Sequence, residues 1–422
     1  MQKRRELFLS TITQFERDDP AREPIREKYR EARLKLRQDR DEAVESALLR
    51  ALTSFEEKLD EGTFSFGLKP GPMAGTKQTY SIDTALETMY PAKQAAEAIK
   101  SAAHMDTPNR NSIVRALKEA LNKRYHHAIY KLDVQEFFES IPHSRLVARL
   151  TRPSTLDGVS AQLARQLLSE YEAITGNENG LPRGVGLSSQ LAELYMSDFD
   201  LKVKMHPGVL FYARYVDDVV VVVENEQTLV AVTGVMAGEL KTMGLDTNVQ
   251  KTRHVVTNKE GNYQVTEDVE YLGYRFVRSD KKLVTGLTNK RKDRRVKRLQ
   301  LAIENWIGTN PNGTDPNHGH DGILVDRLRY LAGNTKLLNS KSNVAIGLFH
   351  SNSALDENAS ELKELDDLLK SFLEAHDSNM TDRVRTRLEN ISFVDMFASK
   401  PFLRLRQKRI EQIVRIWKEA DA

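Results

Sequence analysis

The segment LFYARYVDDVVVVV, Leu210 to Val223, constrains the fold more than any other stretch of the chain. Five consecutive valines with aromatic neighbours read as a strand buried on both faces, because a half-buried strand would alternate apolar and polar residues. Two adjacent aspartates interrupt the run, where burying charge is costly. A turn resolves the conflict. FYAR and VVVVV pair as antiparallel strands, and Asp217 and Asp218 sit at the tip, a place that Asp favours. Taken alone, such a pair is most often an ordinary turn. A second strand, AIYKLDV from Ala128 to Val134, carries another aspartate, Asp133, near its end. Carboxylates gathered in this way are what hard divalent cations need when they bridge an attacking oxygen and a phosphate chain.

The rest of the chain reads as α+β. Residues 18–60 are dense in alternating charges with apolar residues at helical spacings, as in solvated helices. Gly62 to Thr79 is rich in Gly and Pro and reads as a long loop or an irregular strand pair. Helical patterning returns from Tyr90 to Leu121, broken at Thr107, Pro108 and Asn109, and again from His143 to Tyr171 and Ser188 to Val203. Beyond Asp280 the strand signal largely ends. The expected divisions are an N-terminal helical segment (1–60), a mixed segment (61–127), a segment that carries the aspartates (128–277) and a helical C-terminal part (278–422).

Composition limits the partners and the compartment. With 422 residues, 40% of them hydrophobic, the chain has the makings of a sizeable core and of a soluble globular protein. Lys and Arg total 63 against 60 Asp and Glu, so the net charge of +3 does not by itself mark a polyanion partner. Any basic footprint is local. Seven of the nine residues in KRKDRRVKR, 290 to 298, are basic, and Arg291, Lys292, Arg294 and Arg295 are candidates for nucleic-acid phosphates. The other reading of that run is a solvated helix face. The absence of cysteine excludes disulfides and thiolate zinc sites and fits a reducing, cytoplasmic setting. No stretch reads as a signal peptide or a membrane span. His318 and His320, with Asp315 and Asp321 beside them, read as exposed loop rather than metal site. Trp306, Tyr330, Phe349 and Trp417 read as packing aromatics.

YVDD between apolar strands resembles the signature of reverse transcriptases, and four more blocks follow the family's order. KLDVQEFFESIPHSRL (Lys131 to Leu146) resembles the first catalytic aspartate block, which implies a metal-binding Asp133, a Val134 carbonyl as a further ligand, and Phe138 under the incoming sugar, with a core aromatic as the alternative for Phe138. GLPRGVGLSSQLAELYM (Gly180 to Met196) is similar to the block that holds the template base and nucleotide, with Pro182, Gly184, Ser188 and Gln190 at its positions. GLDTNVQKT (Gly244 to Thr252) offers Lys251 as a phosphate contact or general acid, with a solvated lysine as the alternative. EYLGYRF (Glu270 to Phe276) resembles the primer grip, with Leu272 and Gly273 at the turn. Arg110 opens an amphipathic helix before Asp133 and is either a triphosphate clamp or a surface arginine.

The resemblance implies a right-hand polymerase, with fingers at 61–127, a palm at 128–277 and a helical thumb with C-terminal extension at 278–422, that uses two Mg2+ ions, held by Asp133, Asp217 and Asp218, to add dNTPs to a 3′ hydroxyl on an RNA template and make a DNA product. Its nearest branch is the defence-associated bacterial enzymes of the abortive-infection and unknown-group classes, with the smaller polymerase subunit of the third defence type closest. PNRNSIVRALKEAL and LRYLAGNTKLL followed by VAIGLFHSN carry that likeness. It implies a structured non-coding RNA and either a second polymerase subunit or a homo-oligomer. Two rivals stand beside this reading: template-independent or protein-primed DNA synthesis, and a non-catalytic RNA-binding scaffold.

Overall fold

The computed structural model describes residues 22–103, 109–123, 125–151, 156–257, 268–279, 282–309, 319–336, 344–357, 359–376 and 380–421. The chain divides into two compact units, one of residues 1–105 and 138–195, the other of 106–137 and 196–422. The class is α+β, as the sequence predicts.

In the first unit the charge-rich N-terminal region forms one helix, Arg22–Asp60, where the sequence reading allowed several. Its 39 residues span about 58 Å. Among its described side chains the buried ones lie near its end: Ala51 and Phe55 are buried, and Phe55, Phe64 and Phe66 form an edge-to-face series. The Gly/Pro-rich stretch resolves into an irregular lead followed by an antiparallel pair, β1 (Lys69–Ala74) and β2 (Lys77–Ser81). Glu170 fixes the lead, accepting the Phe66 and Leu68 amides at 2.7 and 3.1 Å. Those amides have no ladder, and the carboxylate supplies the missing acceptors. The helices Leu86–Ala102, His143–Leu150 and Gly158–Thr175 complete the unit with the first half of Gly186–Lys204.

The second unit holds a four-stranded antiparallel sheet in the order β4 (Val209–Tyr215), β5 (Asp218–Val223), β3 (Ala128–Asp133), β6 (Arg253–Val256). β5 is an inner strand, and all of Val219 to Val223 are fully buried. Strand alternation divides them. Val220 and Val222 join a core with Ile113, Val114 and Leu117 of the Arg110–Leu121 helix. The odd-numbered valines take the other face, and the Glu226–Met243 helix packs on β5 and β3. Each buried valine contributes roughly 1.5–3 kcal/mol.

The sequence reading understates the strands beyond residue 280. β7 (Val269–Tyr271) and β8 (Tyr274–Ser279) are joined by β9 (Lys282–Leu287) in a three-stranded sheet, and β10 (Asn334–Lys336) pairs with β11 (Ala345–Gly347). Gly286 obscures β9, since glycine weakens a strand signal. Here it has a steric reason, because a Cβ would collide with the buried Glu361 carboxylate. The C-terminal helices close around Trp306 and Trp417, both buried. Their indole N–H groups donate to Asp321 (2.9 Å) and the Arg298 carbonyl (3.0 Å), and Tyr330 stacks on Trp417. These rings pack, as expected. Asp315 and His318 lie outside the described residues, as does the side chain of His320. Among the described residues no helix is long and apolar enough to cross a membrane.

Candidate active site

Asp133 and Asp218 stand opposite each other at the end of the β3–β5 ladder. Asp217 occupies the two-residue turn that joins β4 to β5, where Tyr215 pairs with Asp218. The first turn residue, Val216, has φ 61 and Asp217 does not have positive φ, the pattern of a II′ turn. A β-branched residue in that region is strained by roughly 1–2 kcal/mol. Something must hold it there.

Three successive carbonyls of the tip are each held by a different donor. Arg214 Nη1 donates to the Val216 carbonyl at 2.9 Å. The Val134 amide donates to that of Asp217 at 3.1 Å, and the Tyr271 hydroxyl to that of Asp218 at 3.0 Å. Arg214 is in turn held by Asp200, which accepts its Nε at 2.8 Å and Nη2 at 2.7 Å, and also the Tyr212 hydroxyl at 2.5 Å. The arginine side chain is only 4% exposed, so its fork is fixed in orientation. Burial beside Asp200 pushes the Tyr212 phenol well above its ordinary range, and burial near Asp218 does the same to Tyr271. Both therefore remain donors.

The carboxylates repel one another. Burial, then the charges of Asp133 and Asp218, raise the pKa of Asp217; burial raises that of Asp218, with Asp133 adding to it and Lys131 opposing. Lys251 Nζ lies 3.1 Å from both oxygens of Asp133, and Lys131 Nζ lies 3.7 Å from Asp218. Two ammonium groups thus offset part of the charge of three carboxylates. Among the described residues no group of three or more His, Asp or Glu side chains is arranged to hold a metal as it stands. The donor set is nevertheless of the kind magnesium takes, all oxygen and mutually repelling, and side-chain rotation with withdrawal of the 61%-exposed Lys251 would free it.

Tyr215 to Asp218 also line a cleft of about 450 Å³, with Arg110, Leu272, Gly273, Thr288, Lys290, Arg291 and Arg294. Leu272 and Gly273 form the β7–β8 turn, both with positive φ (48 and 78). Gly273 suits its positive φ, and a Cβ there would displace the Arg291 guanidinium. Arg110 donates to the Leu272 carbonyl from Nε (3.0 Å) and Nη2 (2.6 Å) and to the Ser351 carbonyl from Nη1 (2.9 Å). Its guanidinium also lies 4.9 Å from the Tyr274 ring centre. Arg291 lies 5.9 Å from the same ring and donates to Asn352. Burial and the neighbouring Arg110 and Arg294 push the Arg291 pKa down to about 10. The other two basic candidates differ in surroundings. Lys292 pairs with Glu364 at 2.8 Å, and Arg295 is half-buried with Nη1 on the Leu331 carbonyl.

The remaining candidates belong to the first unit. Phe138 is half-buried, and the Arg183 guanidinium lies 4.9 Å from its ring centre. Glu139 holds Arg183 by two hydrogen bonds of 2.6 and 3.0 Å. Burial raises the Glu139 pKa, but Arg183 outweighs it and keeps the carboxyl below its ordinary value. Gly184 has φ +94, and a Cβ there would come within 2.8 Å of the Tyr80 carbonyl oxygen. The Arg183 carbonyl accepts the Tyr80 amide at 2.7 Å, so the loop after Pro182 is stitched to β2. Ser188 is fully buried, and the Gln190 amide oxygen is buried with no hydrogen-bond partner among the described residues.

Sequence reasoning passed over Asp200, Tyr212, Arg214, Tyr271 and Lys131. The available signal was Arg214 itself, a charge in a strand expected to be buried, which demands a partner.

Residues 77–276, just under half of the chain, match the family model described as reverse transcriptase (RNA-dependent DNA polymerase). No curated protein matches the chain. Among solved structures it is similar to telomerase from Candida tropicalis in complex with a TWJ fragment of telomeric RNA, at 14% identity over 84% of this chain and 58% of that one, with a TM-score of 0.40. Telomerase from Candida albicans with such a fragment gives 11% identity, 78% and 49% coverage and a TM-score of 0.36. The RNA-dependent RNA polymerase of BmCPV at quiescent state gives 9%, 71% and 29%, and 0.36. The chain spans about half the length of the telomerases it matches.

Proposed function

We infer that this chain, whose residues 77–276 match the reverse transcriptase family, is an RNA-directed DNA polymerase that extends a DNA 3′ hydroxyl with deoxynucleotides. The observation that carries the reading is the tip of the β4–β5 hairpin, where Asp217 and Asp218 are set beside Asp133 by three anchored carbonyls. Two magnesium ions held there by Asp133, Asp217, Asp218 and the Val134 carbonyl would activate the 3′ hydroxyl and neutralise charge on the triphosphate. The anchored turn keeps the carboxylates from drifting as substrates enter. Lys251, released from Asp133, can turn to the triphosphate and donate a proton to the leaving pyrophosphate. Leu272 and Gly273 would support the primer end, and Lys290, Arg291 and Arg294 would contact its phosphates. Arg110 would act by fixing that turn, and Lys292 and Arg295 would be lesser parts of the basic face. Phe138, under Arg183, would face the sugar, with Gly184 and Gln190 at the nucleotide and template.

The biological setting we propose is antiphage defence with a structured non-coding RNA as template or scaffold, in the cytoplasm, with a second polymerase subunit or further copies of the chain. Support comes from the likeness of residues 108–121 and 328–352 to defence-associated enzymes. Sequencing the nucleic acid that co-purifies with the chain tests it, and a random sample of cellular RNA would refute it.

The enzymatic reading is tested by magnesium-dependent dNTP incorporation on an RNA template with a DNA primer. Incorporation should require template, metal and Asp217 with Asp218. Synthesis from single nucleotides without RNA would favour the template-independent alternative. Failure under every metal and primer condition would leave the scaffold.

A further inference from the structure

Between the helices Phe393–Ser399 and Gln407–Asp421 the chain runs through an extended segment, KPFLRLR, residues 400–406. Asn334 of β10 binds it on both sides. The Asn334 amide donates to the Pro401 carbonyl at 3.1 Å, and its carbonyl accepts the Leu403 amide at 2.8 Å. Phe402 thereby forms a parallel bridge with Asn334, and the segment adds an edge to the β10–β11 pair. Side chains on such an edge alternate. Leu405 packs against the core, and Leu403 lies close to Gly333. Phe402, Arg404 and Arg406 are consequently the exposed set.

An exposed phenylalanine needs an account, and Phe402 is 45% exposed. It is held in an aromatic group: its ring centre lies 5.0 Å from that of His350, which lies 5.4 Å from Phe349, itself 5.4 Å from the buried Phe397. Lys400 sits 4.3 Å from the Phe349 ring centre. The ring is thus a supported platform. Among the described residues none of the neighbouring Lys400, Arg404, Arg406 and Lys408 has a carboxylate partner.

We propose that this edge is a second nucleic-acid contact, separate from the cleft, on which Phe402 and His350 stack with bases of a single strand while Arg404, Arg406 and Lys400 take its phosphates. Outward residues on an extended strand repeat every 6.6–6.8 Å or so, a step on the scale of one nucleotide of an extended strand. A single strand presents the base faces that rings need, whereas a duplex hides them. An apolar protein partner would leave the cations buried without partners, which is costly. The inference uses none of the residues of the polymerase reading.

The test uses the full chain and a 5-iodouridine-labelled single-stranded RNA, with photocrosslinks mapped by mass spectrometry and affinity measured by anisotropy across salt concentrations. Crosslinks should fall on Phe402 or His350, and Phe402→Ala should weaken binding by about five- to a hundredfold. Arg404→Gln with Arg406→Gln should lower the log-log salt slope by about 0.7 for each phosphate no longer neutralised, while Arg404→Lys with Arg406→Lys retains it. Primer extension on a short primer–template should be unchanged in these variants. Affinity and slope unchanged in both, or crosslinks that avoid 350 and 400–406, would overturn the proposal. So would conversion of a dimer to a monomer by Phe402→Ala in light scattering, which would make the edge an interface between copies. Crosslinks at Phe402 in a chain that incorporates no nucleotide would sink the polymerase reading and leave this one standing.

Discussion

Single side chains at the hairpin tip are placed where they cost stability. Burial and mutual repulsion raise the pKa values of Asp217 and Asp218 in the folded chain. A carboxyl raised in this way favours folding while protonated, and that contribution fades as pH rises through the folded value. Without metal at neutral pH, Asp217→Asn with Asp218→Asn should therefore be more stable than the parent. The difference should shrink as pH falls toward the ordinary aspartate range, and urea unfolding at several pH values would reveal a flat difference if repulsion is unimportant. On the proposed metal site, added magnesium should stabilise the parent alone, since only the parent would keep the carboxylates to hold the ion in the folded state. Phe138 is a second case. If its ring lies against the sugar, Phe138→Ala should raise the ratio of ribonucleotide to deoxynucleotide incorporation roughly tenfold or more, because overpacking costs about 1–3 kcal/mol. An unchanged ratio on folded protein would leave Phe138 as the surface on which Arg183 rests. The aspartates were legible in the sequence because the pair beside five valines has company, Asp133 near the end of a second strand and further blocks in order. The hydrogen bonds around them were not, because Asp200, Arg214 and Tyr271 meet through space from separate elements.

At the level of elements, the β4–β5 hairpin is shaped by its anchors as much as by its own turn. Val216 is a poor residue for positive φ, so the Arg214 hydrogen bond to its carbonyl holds a conformation the local sequence disfavours. Arg214→Lys keeps the charge but loses the fork. It should lower kcat more than tenfold while KM for nucleotide changes little, and Asp200→Asn should act in the same direction. A rise in KM at constant kcat would instead mean that Arg214 helps to bind substrate. Arg214→Ala should also destabilise the fold by about 3 kcal/mol, because it strips the partner from a half-buried Asp200. The strands at both sides of this tip were readable from valines and aromatics. β9 was not, because Gly286 is chosen for the space Glu361 occupies, a constraint that exists only once the helix Ser360–Ala375 is in place.

Over the whole molecule, charge is nearly balanced, yet the cleft is lined by four cations, Arg110, Lys290, Arg291 and Arg294. Reversing Lys290, Arg291 and Arg294 together should reduce the salt slope of primer–template binding by roughly 0.7–0.9 for each phosphate that loses its cation. Reversing Lys292, which already pairs with Glu364, should change it little. Equal effects from both would place the phosphates along the entire helix. The same scale brings out what the strand order means for a chain leaving the ribosome. Asp133 is made long before its partner Asp218, and the whole of 138–195 is synthesised between them as part of the other unit. Closing so long a loop costs only slightly more than closing one half its length, but the inner strand must arrive before the two carboxylates can meet. A chain that ends before β5 would carry Asp133 without either aspartate of the hairpin, so a truncated product would lack the gathered carboxylates whatever else of it folds.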